Sequence, residues 1–319
     1  MKRWPIGLAV ALLLVGAFAA GPRVNLSYRL QPVQLPSDLD GYLREAEARV
    51  PNLVASASKT ILWANAAAKT PTRLSIVYLH GFSATRHEIA PVCERLAAEL
   101  NANLFFTRLT GHGRDGPAMA EASVERWLQD GVEALAIGRR LGDKVVIVAT
   151  STGATLATWL LANGYGEDIA ALVMISPNFG PRDPSSELLL WPWGEQIARL
   201  VVGPNYRWRP INERHKRHWT IEFPVAALLP MMGLVELGRR SDLGDIRVPM
   251  LTFYSTDDGI VDSEAIESEF ARFGSERKQL VALDRTGDPQ RHVLAGEILS
   301  PGTTEEVVAR TREFLTPLR

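Results

Sequence analysis

The sequence predicts an α/β protein: a mostly parallel central sheet with helices on both faces and an inserted cap (lid) over the C-terminal edge of the strands. Three observations carry this expectation. Short, continuous apolar runs alternate with amphipathic helical patterns through most of the chain, and strands that lack polar alternation are those buried on both faces. His80-Gly81-Phe82, Gly111-His112-Gly113, Ser151 and the Asp257-Asp258 pair each follow closely on such a run. Right-handed crossovers bring those strand ends to one edge, where sites of this architecture form. Finally, the alternation stops between 178 and 247 and then resumes.

The 319 residues suffice for one large domain with an insertion. Lys plus Arg number 35 and Asp plus Glu 36, so no global field favours nucleic acid as a partner. Cys93 is the only cysteine, which excludes an intrachain disulfide. It falls within a helical pattern whose Val92, Leu96 and Leu100 share a face, and it reads as a buried thiol.

Taken in order, Lys2 and Arg3 precede an uncharged run from Trp4 to Gly21 rich in Leu, Val and Ala. This has the n-region and h-region of an export signal, with Ala17-Phe18-Ala19 as a small-x-small cleavage site. The alternative is an uncleaved anchor, just short of the ~20 residues that span a bilayer comfortably. Either reading places the following domain outside the cytoplasm. The stretch 22–38 reads as an irregular tether, and 41–50 as a short helix ended by Pro51. An edge strand is expected at 59–64, then a buried strand at 75–79, a helix over 87–100, a strand at 103–107 and a long helix over 124–141. The most apolar strand, 144–149, runs into Ser151; a helix over 155–163 and a strand at 171–175 follow. No clean strand is expected from 178 to 247, a stretch holding Trp191, Trp193, Trp208 and Trp219. Strands at 248–254 and 279–283 flank a helix over 263–273, and a last helix covers 304–315, with Thr303 and Glu306 as its capping box. The expected organisation is thus 1–21 signal or anchor, 22–56 tether and helix, 57–177 first part of the core, 178–247 cap, and 248–319 second part of the core.

The chemistry sits in pieces that are weak alone and strong together. In Ala149-Thr150-Ser151-Thr152-Gly153 a serine lies between a strand and a helix, with small residues at both ends to permit a sharp turn. Serine needs a base to remove its proton as it attacks. His292 follows the last strand after a loop holding Gly287 and Pro289, and is the expected base. Asp258, in Asp258-Gly259-Ile260-Val261, is the expected acid; Asp257 is the alternative, and Asp262 is placed to cap a helix. The order Ser, Asp, His along the chain fits a nucleophile on a strand–turn–helix elbow. Backbone N–H groups of Phe82 and Thr152 are the expected donors to an oxyanion. His80 and His112 are expected to hold their loops by hydrogen bonds. The basic run of Arg207, Arg209, Arg214, His215, Lys216, Arg217 and His218 reads as a solvated face. Without a carboxylate or cysteine at ligand spacing, no metal site is expected there.

These residues resemble the α/β-hydrolase superfamily over roughly 72–173 and 249–315. His-Gly-Phe, the Gly-His-Gly turn and the single long insertion look most like monoacylglycerol-lipase-like and carboxylesterase-like serine hydrolases. The resemblance implies attack by Ser151 on a small-molecule ester or lipid-like substrate, an acyl-enzyme, and its hydrolysis by water activated through His292. It implies no organic cofactor and no metal. Two departures stand out: Ala149 occupies the usual glycine position, and the insertion is unmatched in detail. The second leaves the substrate open, because fold and triad do not set specificity. A thioesterase, amidase or peptidase with the same triad, and a catalytically silent binding module, are the alternatives. Membrane association through residues 4–21 is the other expected contact.

Overall fold

The structure is a computed structural model and describes residues 4–318; Lys2 and Arg3, part of the expected signal, lie outside them. Its elements run α1 (Trp4–Ala19), α2 (Leu39–Ala48), β1 (Thr60–Leu62), β2 (Thr72–Leu79), α3 (Val92–Leu100), β3 (Asn103–Phe106), α4 (Val124–Leu141), β4 (Gly142–Thr150), α5 (Thr152–Leu160) and β5 (Ile169–Ile175). An insertion follows, with α6 (Gly194–Val202), β6 (Asn205–Arg207), α7 (Glu213–His218), β7 (Glu222–Pro224) and α8 (Leu228–Arg240). The chain closes with β8 (Met250–Tyr254), α9 (Ser263–Arg272), β9 (Lys278–Ala282) and α10 (Pro301–Leu315).

Seven strands form one sheet in the order β1-β3-β2-β4-β5-β8-β9. All neighbours pair in parallel except β1, which lies antiparallel against β3 at one edge. Both faces are apolar, as the unbroken hydrophobic strands require. Side chains alternate across a strand, so Val77 and Leu79 of β2 enter one layer while Ile76 and Tyr78 enter the other. The first layer is covered by α4, α5 and α8, the second by α3 and α10. Val145 to Ala149 of β4 are wholly buried, and each large aliphatic among them contributes roughly 1.5–3 kcal/mol by leaving water.

The elements differ from the sequence expectation at instructive places. The helix expected over 87–100 is divided: a single 3-10 turn covers Arg86–Glu88, and α3 begins only after Pro91. Proline has no N–H and disfavours helical backbone in the residue before it. Helix α5 starts at Thr152, directly after the serine, not at 155. The capping box at Thr303 and Glu306 does not form, because Pro301 opens α10 and Thr303 Oγ1 donates to the carbonyls of Leu294 (2.6 Å) and Ser300 (3.2 Å). The insertion contains a small antiparallel sheet, β6 with β7; strands of three residues each are too short to show a period. Helix α8 packs against α5 and α4 of the body.

The N-terminal stretch lies along the body. Arg29 N donates to Glu125 and Gln31 N to Gln129, each at 2.8 Å, so the chain follows α4. Helix α2, capped by Asp38, buries Leu39 and Leu43. Its Glu47 holds Arg108 in a buried two-point ion pair, at 2.9 and 2.8 Å. Helix α1 is 16 residues long, and among the described residues no helix is long and apolar enough to cross a membrane. Leu8, Leu12, Leu13 and Leu14 are exposed. Its C-terminal end rests on the insertion, with Phe18 edge-on to Trp191 and the Ala17 carbonyl accepting from Trp193 Nε1.

Candidate active site

Ser151 occupies the turn between β4 and α5 with φ 51° and ψ −118°. This backbone conformation is disfavoured for a residue with a side chain, at a cost of about 1–3 kcal/mol. The surroundings impose it: Ser151 N donates to Ile175 O (2.9 Å), while Ser151 O accepts from Ala154 N (2.9 Å) and Asn178 N (3.2 Å). Close packing requires Gly153, since a Cβ there would lie 2.2 Å from Leu79 O. Ala149, in the usual glycine position, is fully buried in the first core layer.

The loop after β2 is held from several sides. Leu109 N donates to His80 Nε2 (3.0 Å), which leaves Nδ1 to carry the proton toward Gly81 O (2.9 Å). Ser83 N donates to His112 Nε2 (2.9 Å). Burial keeps both rings neutral, with His80 pushed down to about 4 and His112 well below the ordinary value. These histidines fasten two loops together and have no free nitrogen for catalysis. The loop also reaches the insertion, because Thr220 N donates to Ser83 O (2.7 Å) and the Phe223 ring packs edge-on to Phe82. The amides of Phe82 and Thr152 have no hydrogen-bond partner among the described residues; Thr152 is the first residue of α5, where N–H groups lack helical acceptors.

His292 Nδ1 lies 2.9 Å from Asp258 Oδ2. Asp258 is fully buried, and its Oδ1 accepts from Ile260 N (2.8 Å) and Val261 N (3.0 Å), so the loop orients the carboxylate. The neighbouring Asp257 turns outward into an ion pair with Arg291. Asp262 caps α9 through Glu264 N. Asp288 fixes the backbone at His292, accepting from His292 N (3.1 Å) and Val293 N (2.9 Å), and Ser176 Oγ donates to His292 O (2.7 Å). Burial disfavours the charged ring, but Asp258, by its charge and hydrogen bond, and the charge of Asp288 outweigh it and raise His292 above its ordinary pKa. The strand ends therefore bring Ser151 and His292 to either side of the end of β5. No hydrogen bond joins Ser151 Oγ to His292 among the described residues; such contacts often tighten only with substrate bound.

Sequence reasoning missed Asp288, Ser176, Tyr78 and Glu88. Asp288, between Gly287 and Pro289, carries an ordinary turn signal. Glu88 falls in the helix expected over 87–100 and carries no signal of its own, yet it is 2 % exposed. In the basic run, Arg207 pairs with Glu222 and Arg214 with Glu297. His215 packs between Trp208 and Trp219, and His218 stacks on His87. Among the described residues no group of three or more His, Cys, Asp or Glu is placed to hold a metal. Two open clefts, of about 640 and 350 Å³, lie elsewhere, the first at the N-terminal ends of β2 and β3.

A family model described as the alpha/beta hydrolase family matches residues 76–297. The chain belongs to that family. No curated protein matches at a significant level. Among solved structures, a metagenome-derived lipolytic enzyme of the LipS and LipT pair superposes with a TM-score of 0.68 at 19 % identity, over 83 % of this chain and 99 % of the other. The monoacylglycerol lipase of Paleococcus ferrophilus gives 0.61 at 15 % identity, over 81 % and 98 %. A soluble variant of the monoglyceride lipase of Saccharomyces cerevisiae gives 0.58 at 14 % identity, over 82 % and 90 %. At these identities the likeness is one of fold.

Proposed function

We propose that the chain is a serine hydrolase that cleaves carboxylic esters with an apolar acyl group. The observation that carries this reading is the 2.9 Å contact of His292 Nδ1 with the buried Asp258, at the same sheet edge as the strained Ser151 turn. In the reaction, Ser151 Oγ attacks the ester carbonyl carbon while His292 Nε2 takes its proton. Asp258 keeps the ring in the right tautomer and stabilises the imidazolium. The carbonyl oxygen becomes an oxyanion facing the Phe82 and Thr152 amides, each worth a few kcal/mol there. Collapse expels the alcohol, which takes the proton from His292. Water, deprotonated by His292, then attacks the acyl-enzyme, and a second collapse releases the acid as His292 returns the proton to Ser151 Oγ.

The apolar acyl preference rests on Phe82, Met119, Trp208, Phe223 and Leu228, which cluster beside the loop after β2. The insertion serves as a cap over this side. Residues 1–21 direct the domain out of the cytoplasm or hold it at a membrane, a reading supported by the exposed apolar surface of α1. Treatment with a fluorophosphonate probe and mass spectrometry tests the core assignment. Label on Ser151, lost in His292→Ala, is the expected result; a folded, unlabelled protein overturns it. Matched oxyester, thioester and anilide substrates then test the ester assignment, with the oxyester turned over fastest.

A further inference from the structure

A second carboxyl faces the nucleophile from outside the proposed triad. Glu88 sits in the 3-10 turn between the loop after β2 and α3. Its Oε1 accepts two hydrogen bonds, from Tyr78 Oη at 2.5 Å and from Gly81 N at 2.6 Å. Tyr78 Oη also lies 3.0 Å from Thr150 Oγ1, the residue before the nucleophile. The other oxygen, Oε2, has no hydrogen bond among the described residues. Gly81 locates it: a Cβ built there would lie 2.9 Å from Glu88 Oε2 and 3.3 Å from Ser151 Cβ. Oε2 and the nucleophile therefore crowd the same side of Gly81.

Among the described residues no Lys or Arg forms an ion pair with this carboxyl. The titratable groups that face it are Tyr78 from β2, Cys93 from α3 and His292 from the loop after β9, and His292 is already paired with Asp258. Glu88 is only 2 % exposed, so its charged form loses most of its hydration. A neutral carboxylic acid fits the same geometry: Oε1 as the carbonyl oxygen receives both donors, and Oε2 carries the proton.

We propose that Glu88 is a positioning residue of the hydrolysis proposed above, a neutral carboxylic acid that holds the Gly81–Phe82 segment for the oxyanion and adds no negative charge beside it. Burial pushes its pKa up to about 7, with Tyr78, the Gly81 amide and His292 pulling the other way. Ionisation above that pH sets a like charge next to the developing oxyanion and slows the reaction. This role rests on the serine hydrolase reading.

The test compares the protein with Glu88→Gln and Glu88→Ala by kcat and KM on p-nitrophenyl butyrate across the pH range. Fluorophosphonate labelling of Ser151 runs alongside. The parent protein is expected to lose about tenfold in kcat as the pH rises past the Glu88 titration. Glu88→Gln, which resembles the neutral acid, lacks that descending limb. Glu88→Ala releases the loop and loses about 10–100-fold in kcat with little change in KM. A descending limb that persists in Glu88→Gln overturns the proposal, as does Glu88→Ala with the parent's kcat. Should Glu88→Ala fail to fold, the Glu88→Gln profile and the infrared band of a protonated carboxyl, present in the parent and absent in Glu88→Gln, decide the matter. Failure of these outcomes with Ser151 still labelled removes only the Glu88 role. An unlabelled parent removes the hydrolase reading and this role together.

Discussion

Ser151 sits in a conformation that its own sequence disfavours, and the residues around it explain why it stays there. Ile175 O, the start of α5 and the bare Cα of Gly153 against Leu79 O leave the turn no other path. Gly153→Ala is therefore expected to abolish soluble, folded protein, checked by circular dichroism of the expressed variant. Asp258→Asn keeps the shape of the site but supplies the wrong partner to His292. It should lower kcat roughly 10³–10⁴-fold, whereas Asp257→Asn, which loses only an exposed ion pair, should change kcat less than about twofold. The raised pKa of His292 has a definite sign. The ring must be neutral to act as a base, so kcat/KM should fall as the pH drops, with its acid limb above the 6.5 of a free histidine. The same shift makes His292 stabilise the fold below that free value, a contribution lost as the pH rises through the folded pKa. The candidate serine, acid and base stand out in the sequence because each sits at a strand end with small or turn-forming neighbours. Glu88 does not, because its burial comes from contacts with Tyr78 Oη and Gly81 N, which no local pattern shows.

Secondary-structure elements were legible in proportion to their length and burial. Strands β2, β4 and β5 are long, apolar and central, and they stand where their composition places them. The helix that holds Cys93 was read too long because the periodic pattern continues through Pro91, while the backbone does not. The three-residue strands of the insertion carry no period, and α8 looks like insertion although it covers α5. Helix α2 illustrates a role no pattern reveals. Its Glu47 accepts from both Arg108 nitrogens and from Lys59 N, in a pair with only 8 % of either side chain exposed. Glu47→Ala leaves the buried Arg108 charge without its ion-pair partner and should cost about 3–5 kcal/mol, measured by urea denaturation. Burial raises the Glu47 pKa, but Arg108 and Lys59 outweigh it and lower the net value. The stability it contributes is thus present above the unfolded carboxylate pKa and lost as the pH falls through the folded one.

For the whole molecule, the sheet gathers at one edge what the sequence scatters. The loops after β2 and β4 come from the first half of the core, Asp258 and His292 from beyond the insertion. Helix α1 is exposed from Gly7 to its C-terminal end and rests on Trp191 and Trp193. A chain beginning at Pro22 should keep its fold and its turnover of p-nitrophenyl butyrate, with sedimentation with vesicles lost; a collapse in activity would show that α1 supports the catalytic domain. The distance along the chain between nucleophile and base has a consequence for how such a protein is made. While the polypeptide is still emerging, Ser151 is made long before His292, the imidazole proposed to activate it. Under the proposed mechanism the protein stays chemically silent through synthesis, and becomes competent only when β9 docks on β8 and carries the following loop to the sheet edge.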